Sequence, residues 1–176
     1  MMFVDQSTKG LYLQECEGRQ YELFLDYALS STDYFMLVYK NYYNHGFSKP
    51  LKEIRSKLAP LKIKRRSNPQ WPGTPGTYCR DTAYQVVFYK NDSCAKDVLL
   101  KAEDIFGWRS PLFPEDLAFF RGNECWFYSV AHEKIAMVVE PNDEDITFFK
   151  RLGLYEDTNL TNHAIRYYEE LQKNMD

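Results

Sequence analysis

Asp116-Leu117-Ala118-Phe119-Phe120-Arg121-Gly122-Asn123-Glu124-Cys125-Trp126-Phe127-Tyr128-Ser129-Val130 is the stretch that decides the fold. Its two apolar, aromatic-rich halves, Asp116 to Arg121 and Glu124 to Val130, have the composition of strands. Only Gly122-Asn123 separates them, and two residues of that kind between strand-like runs form a tight hairpin. Ala131-His132-Glu133-Lys134 then turns the chain into a third run, Ile135 to Glu140. Parallel neighbours need a crossover of roughly a dozen residues or more, so three strands joined this closely form an antiparallel meander.

Downstream, Pro141 and Asn142 open a helix with Asp143, Glu144 and Asp145 in its first turn and Lys150 and Arg151 in its last, the arrangement the helix dipole favours. Gly153 ends it, and a final helix is expected from Thr161 to Lys173, burying Ala164, Tyr168 and Leu171. Upstream, Tyr21, Phe24, Leu25, Ala28 and Leu29 recur at helical spacing between Arg19 and Ser30. Tyr34 to Lys40 reads as a buried strand. Ser48 and Pro50 start a helix lined by Leu51, Ile54 and Leu58, which Pro60 stops. Leu61 to Arg66 alternates apolar with basic residues, as a strand near a sheet edge does. Ser67 to Thr77, with three prolines and two glycines, is a loop. Thr82 to Lys90 is a strand. The helix after it carries Ala95, Val98, Leu99, Ala102, Ile105 and Phe106 on one face, and Gly107 closes it. Helices early, strands late and a meander exclude a regular alternating α/β layout. The expected fold is a single α+β domain over residues 1–176: an antiparallel or mixed sheet of five to six strands, with helices mainly on one face.

At 44% hydrophobic and 27% charged residues, the 176-residue chain has enough apolar material for a core and is not of the disordered type. The longest apolar runs, Phe35 to Tyr39 and Ile135 to Val139, are far shorter than the ~20 residues that cross a bilayer, so no membrane partner is expected. Met1 to Gln6 lacks a basic segment leading into an apolar one, and the expectation is a cytoplasmic protein. Cys16, Cys79, Cys94 and Cys125 form no C-x-x-C pair and read as free thiols without a disulfide or metal. Aromatic residues are abundant, with 14 Tyr, 12 Phe and 3 Trp. They read first as a thick core with hydroxyls reaching solvent, and second as a binding surface.

No phosphate loop, dinucleotide fingerprint, nucleophile elbow or spaced Cys/His set is present, so no cofactor is expected. Charge is uneven. Lys49 to Arg66 holds eight basic residues, Arg65 and Arg66 among them, and one acidic, Glu53, for a net of +7 against −10 over the rest of the chain. Such a stripe reads as a solvated helix face with an edge strand guarded by lysine, or as a contact for an acidic protein or for phosphates. The overall charge of −3 and pI near 5.7 disfavour nucleic acid.

Two Pro-rich loops each carry a tryptophan. Trp71 sits in a stiff Trp-Pro-Gly-Thr-Pro-Gly segment, and Trp108 is followed by Arg109 and then by Glu115 and Asp116. Each ring reads as a binding anchor or as a plug in the core, and the two loops are expected at one end of the sheet with Glu115 and Asp116 orienting Arg109. His132-Glu133 is the one histidine beside a carboxylate, and the second histidine of a zinc-protease helix is replaced by Ala136. Glu115 and Asp116, adjacent on an expected strand, should point to opposite sides. The leading expectation is a non-enzymatic interaction module, of inhibitor or immunity type, binding another protein. The alternatives are a small enzyme using His132 with Glu133, Glu115 or Asp116 on a polar or phosphorylated substrate, and a nucleic-acid binder using the basic stripe. The oligomeric state is left open.

Overall fold

The computed structural model describes residues 9–13, 15–42, 45–67, 70–74 and 82–159. Among the described residues, four helices and eight strands follow in the order β1 (Lys9–Leu13), α1 (Gly18–Ser31), β2 (Tyr34–Tyr42), α2 (Lys49–Leu58), β3 (Lys62–Arg66), β4 (Thr82–Lys90), α3 (Ser93–Leu99), β5 (Glu115–Arg121), β6 (Glu124–Val130), β7 (Ile135–Val139), α4 (Asp143–Leu152) and β8 (Tyr155–Asn159). The strands form one sheet in the order β3-β4-β2-β5-β6-β7-β1-β8, and every pairing is antiparallel. The fold is therefore α+β with the expected meander β5-β6-β7 at its centre.

The sheet has eight strands rather than five to six because β1 and β8 join it. β1 slots beside β7 and takes β8 on its other side, so its ladder is satisfied by two segments distant in sequence. Neither segment announces itself: Lys9-Gly10-Leu11-Tyr12-Leu13 is short and holds a glycine, and Glu156-Asp157-Thr158-Asn159 is rich in residues that strands avoid. The helix expected over Thr161 to Lys173 lies outside the described residues.

Local chemistry explains the helix ends. Asn142 caps α4 by accepting from the Asp145 amide at 2.8 Å while Asp145 accepts from the Asn142 amide at 2.9 Å, and Gly153 closes the helix at φ 67°. Ser48 and Asp92 cap α2 and α3. The third helix is shorter than expected. It ends at Leu99, passes through a 3₁₀ turn to Ala102, and reverses at Glu103, φ 64°. Ile105 and Phe106 are buried from the turn that follows, not from a helix face. Gly107 is therefore no helix cap: a Cβ there would collide with the Ala102 carbonyl oxygen.

All four helices cover one face of the sheet. Phe24 and Leu25 of α1, Leu51 of α2, Leu99 of α3 and Phe149 of α4 pack with Phe35, Tyr89, Phe119 and Phe127 from the strands. The Phe24 ring lies 4.9 Å from that of Phe127 and 6.0 Å from that of Phe119, so much of the aromatic excess is core. Tyr39 pairs its buried hydroxyl with that of Tyr89 at 2.7 Å, and Tyr21 donates to the Leu99 carbonyl at 2.9 Å. On the other face Met36, Val38, Val86, Phe88, Ala118, Phe120 and Cys125 form a second cluster around Trp71. β3 is an edge strand, as its lysines imply. Among the described residues, no helix is long and apolar enough to cross a membrane.

Candidate functional site

β5 starts irregularly. Met36 stands opposite Ala118 and Val38 opposite Glu115, so Asp116 and Leu117 share the space across from Leu37. This is a β-bulge, and Asp116 takes φ 55° to make it. Aspartate is one of the few non-glycine residues that accept that conformation readily. The bulge changes where the carboxylates point. Residues directly opposite in an antiparallel pair share a face, so Glu115 emerges on the side of Val38 and Lys40. The opposite orientation expected for adjacent strand residues is overturned, and the two acids come together.

Asp116 is 1% exposed and ties three segments to one another. Its Oδ2 accepts from the Trp71 indole N–H at 2.8 Å, its Oδ1 accepts from the Ala131 amide at 3.0 Å, and its own amide donates to the Trp108 carbonyl at 3.3 Å. Burial pushes its carboxyl above the usual range, against the hydrogen bonds from Trp71 and Ala131 that favour the anion. Glu115, 5% exposed, accepts from the Ser110 amide through Oε1 at 3.2 Å and pairs there with the Lys40 ammonium at 3.1 Å. Its Oε2 is buried with no hydrogen-bond partner among the described residues, and so is the hydroxyl of Ser110.

His132 completes the group. The 3₁₀ turn Ala131–Glu133 joins β6 to β7, and the Ala131 amide that Asp116 holds places His132 at the rim. A carboxylate oxygen of Glu115, one of Asp116 and an imidazole nitrogen of His132 all lie within 4.8 Å of one another. The imidazole is half exposed, and its Nε2 stands 3.5 Å from Glu133 Oε1. Two buried acids with unsatisfied oxygen capacity and a histidine facing solvent can bind a ligand that donates hydrogen bonds, hold a cation, or relay a proton.

The other residues singled out from the sequence fare differently. Trp71 is 2% exposed and Trp108 0%, so both rings are plugs and neither is an exposed anchor. Their loops do meet at Asp116, but the rings lie on opposite faces of the sheet, Trp108 under the helices with its N–H donating to Tyr21 at 2.9 Å. Gly73 lets the Trp71 turn press on β6, since a Cβ there would meet Val130 and Tyr128 at 2.6 and 2.7 Å. Arg109 is exposed, and among the described residues no hydrogen bond joins its side chain to Glu115 or Asp116. The cation beside Glu115 is Lys40, which the sequence did not single out, although Val38 and Lys40 share a strand face two residues apart.

Arg65 and Arg66 lie on β3, three strands from β5, and their neighbours Lys62 and Lys64 flank a second bulge at Ile63. The basic stripe therefore wraps a sheet edge. Cys16, Cys94 and Cys125 are free thiols, and burial raises Cys125 far above the usual thiol range; Cys79 lies outside the described residues. A shallow groove of about 430 Å³ beside α4, lined in part by Tyr27, Glu144 and Phe148, belongs to the other end of β5. No protein-family model matches this chain, and neither a curated protein nor a solved structure matches it, so its function has to be read from the residues themselves.

Proposed function

We propose that the working centre of this protein is the Glu115–Asp116–His132 group, and that it binds a small polar molecule there and exchanges a proton with it. One observation carries the reading: a bulge turns two adjacent buried carboxylates to the same side, beside an exposed imidazole, and Glu115 Oε2 has no partner among the described residues. A buried, unsatisfied polar atom in a native fold calls for an explanation, and a ligand's hydroxyl or ammonium group would supply the missing donor. Imidazole is the usual proton carrier near neutral pH. A phosphorylated molecule would need a cation between itself and the two acids.

The test is stabilisation by ligand. A panel of polyols, sugars, amines and phosphorylated metabolites is screened by melting temperature, because a molecule that binds only the folded state raises it by mass action. At least one member should stabilise the wild type and fail with Glu115→Gln and with His132→Ala. If no member moves the wild type, or if both variants respond as it does, the reading is wrong.

A second reading is favoured by the basic edge. Lys62 and Arg65 are exposed on β3, Ile63 between them is 56% exposed, and Lys57 lies close enough to lower the pKa of Lys101 on the neighbouring turn. Like charges crowded around an exposed apolar residue fit an acidic protein partner, and this reading makes the chain a cytoplasmic interaction module of inhibitor or immunity type. Lysines and a bulge also defend a free edge against mispairing, which is why this reading comes second. Capture from a native lysate with the wild type and with Lys57→Glu/Arg65→Glu separates the two: recovery of the same proteins by both removes the docking role. Capture of nucleic acid lost steeply with salt would instead favour phosphates.

A further inference from the structure

We infer that Glu115, Asp116 and His132 form a binding site for one divalent transition-metal ion, of the Zn²⁺ or Mn²⁺ class. The inference rests on reading this group as the working centre and names what it holds. The donor set is two carboxylate oxygens and one imidazole nitrogen within 4.8 Å of one another. Ligand oxygens and nitrogens stand about 2.0–2.2 Å from such an ion, so three of them around one centre lie roughly 3 Å apart, a closure that small side-chain shifts provide. Oxygen donors alone would suit Ca²⁺ or Mg²⁺; the imidazole shifts the preference to a borderline ion.

Two further observations point to an ion. Glu115 is 5% exposed, and its Oε2 has no hydrogen-bond partner among the described residues, a deficit that a cation bound to this carboxylate would meet. The acids are also held as metal-binding carboxylates usually are, by outer hydrogen bonds: Asp116 accepts from the Trp71 indole and the Ala131 amide, and Glu115 from the Ser110 amide, leaving lone pairs on each. Glu133, 3.5 Å from His132 Nε2, steadies the imidazole. Three protein donors at a site open through the exposed His132 leave room for water or a substrate atom on the ion, as in zinc sites that work rather than brace. Lys40 is the opposing feature: its ammonium, 3.1 Å from Glu115 Oε1, offsets one negative charge and limits affinity.

The experiment is calorimetric titration of the chelator-treated full chain with Zn²⁺, Mn²⁺, Ca²⁺ and Mg²⁺, in a Cys79→Ala/Cys94→Ala background, Cys94 being the exposed thiol among the described residues. The expected result is about one equivalent of Zn²⁺ or Mn²⁺ bound, with affinity lowered roughly tenfold or more by His132→Ala and by Glu115→Gln. Both variants should keep the wild-type circular dichroism, since His132 is exposed and Gln preserves the shape of Glu115. Absence of Zn²⁺ and Mn²⁺ binding, or binding that neither variant weakens, overturns the site. If neither Zn²⁺ nor Mn²⁺ binds and an organic ligand still stabilises the chelator-treated protein through Glu115, the metal fails and the small-molecule reading stands. If Zn²⁺ or Mn²⁺ binds as expected and no organic ligand does, the reverse holds.

Discussion

At its C-terminal end β5 reaches Asp145 through Arg121, and at its N-terminal end it supplies Glu115 and Asp116 itself. Asp145 is fully buried and accepts five hydrogen bonds on two oxygens: two from Arg121 at 2.7 and 2.8 Å, and one each from the Tyr27 hydroxyl, the Trp126 indole and the Asn142 amide. Arg121 also covers the Trp126 ring at 4.8 Å and donates to the Ser31 carbonyl. Glu115 and Asp116 are nearly as deeply buried, yet among the described residues they share fewer donors and leave one oxygen with none. Burial of a charge is costly unless its hydrogen-bonding capacity is met. The saturated centre fixes α1, α4 and the β5–β6 hairpin to one another, whereas the unsaturated one keeps capacity for something outside the chain.

The largest effect is expected from Asp145→Ala. It removes the acceptor for five donors and leaves the Arg121 guanidinium partly buried without its partner, which should cost about 3–5 kcal/mol in denaturant unfolding. The same centre sets an acid limit. Burial opposes ionisation of Asp145, but the Arg121 guanidinium and the donors from Tyr27, Asn142 and Trp126 overcome it and hold the carboxyl below its usual range. A depressed folded pKa stabilises fully above the unfolded value, about 3.9, and that contribution is lost as pH falls through the lower folded value. The stability gap between wild type and Asp145→Asn should therefore stay constant near neutrality and narrow below roughly pH 4. A gap unchanged down to acid unfolding would show that Asp145 is not a net stabiliser as the anion.

Matched indole deletions sharpen the contrast. Trp126→Phe removes one of five donors to Asp145, while Trp71→Phe removes one of two to Asp116. Leaving a buried carboxylate short of a donor costs about 1–3 kcal/mol, and the loss should be felt more where fewer remain. Trp71→Phe is thus expected at the upper end of that range and Trp126→Phe at the lower. Equal costs would mean that the two centres are equally robust and that their difference in saturation is unimportant.

The two ends also differ in how far the sequence exposes them. Asn142 with Asp145 three residues on reads as a helix start, and Gly122-Asn123 as a hairpin, because both signals are local. That Asp145 would also receive Arg121, Tyr27 and Trp126 is a product of tertiary packing across more than a hundred residues in the case of Tyr27. At the other end Glu115, Asp116 and His132 were recognisable as chemically suggestive residues, but their convergence was not. It depends on a register shift against β2, which no local pattern records, and on Lys40 arriving from that strand. The tryptophans stay open in sequence for a different reason: a Pro-rich loop can carry an anchor or a plug, and only packing shows that both rings close the core.

The smallest effect belongs to paired replacements by apolar residues, and it divides the two ends most cleanly. Lys40→Met with Glu115→Leu removes both members of a pair whose side chains are 16% and 6% exposed. Exchanging a buried ion pair for apolar side chains of similar size is often neutral or stabilising, since the desolvation cost disappears with the attraction. Here it also removes the Glu115 oxygen that has no partner among the described residues, while the Ser110 amide loses its acceptor and the Tyr84 ring loses the Lys40 ammonium 5.9 Å from its centre. The double variant should unfold within about 1 kcal/mol of wild type, on either side. Arg121→Met with Asp145→Leu has no such escape. It strands the buried Trp126 indole, at about 1–3 kcal/mol, and takes the acceptor from the half-buried Tyr27 hydroxyl and from the Asn142 amide that caps α4. A Lys40/Glu115 replacement as damaging as the Arg121/Asp145 one would make Glu115 a structural residue and remove the reason to read its open oxygen as a site.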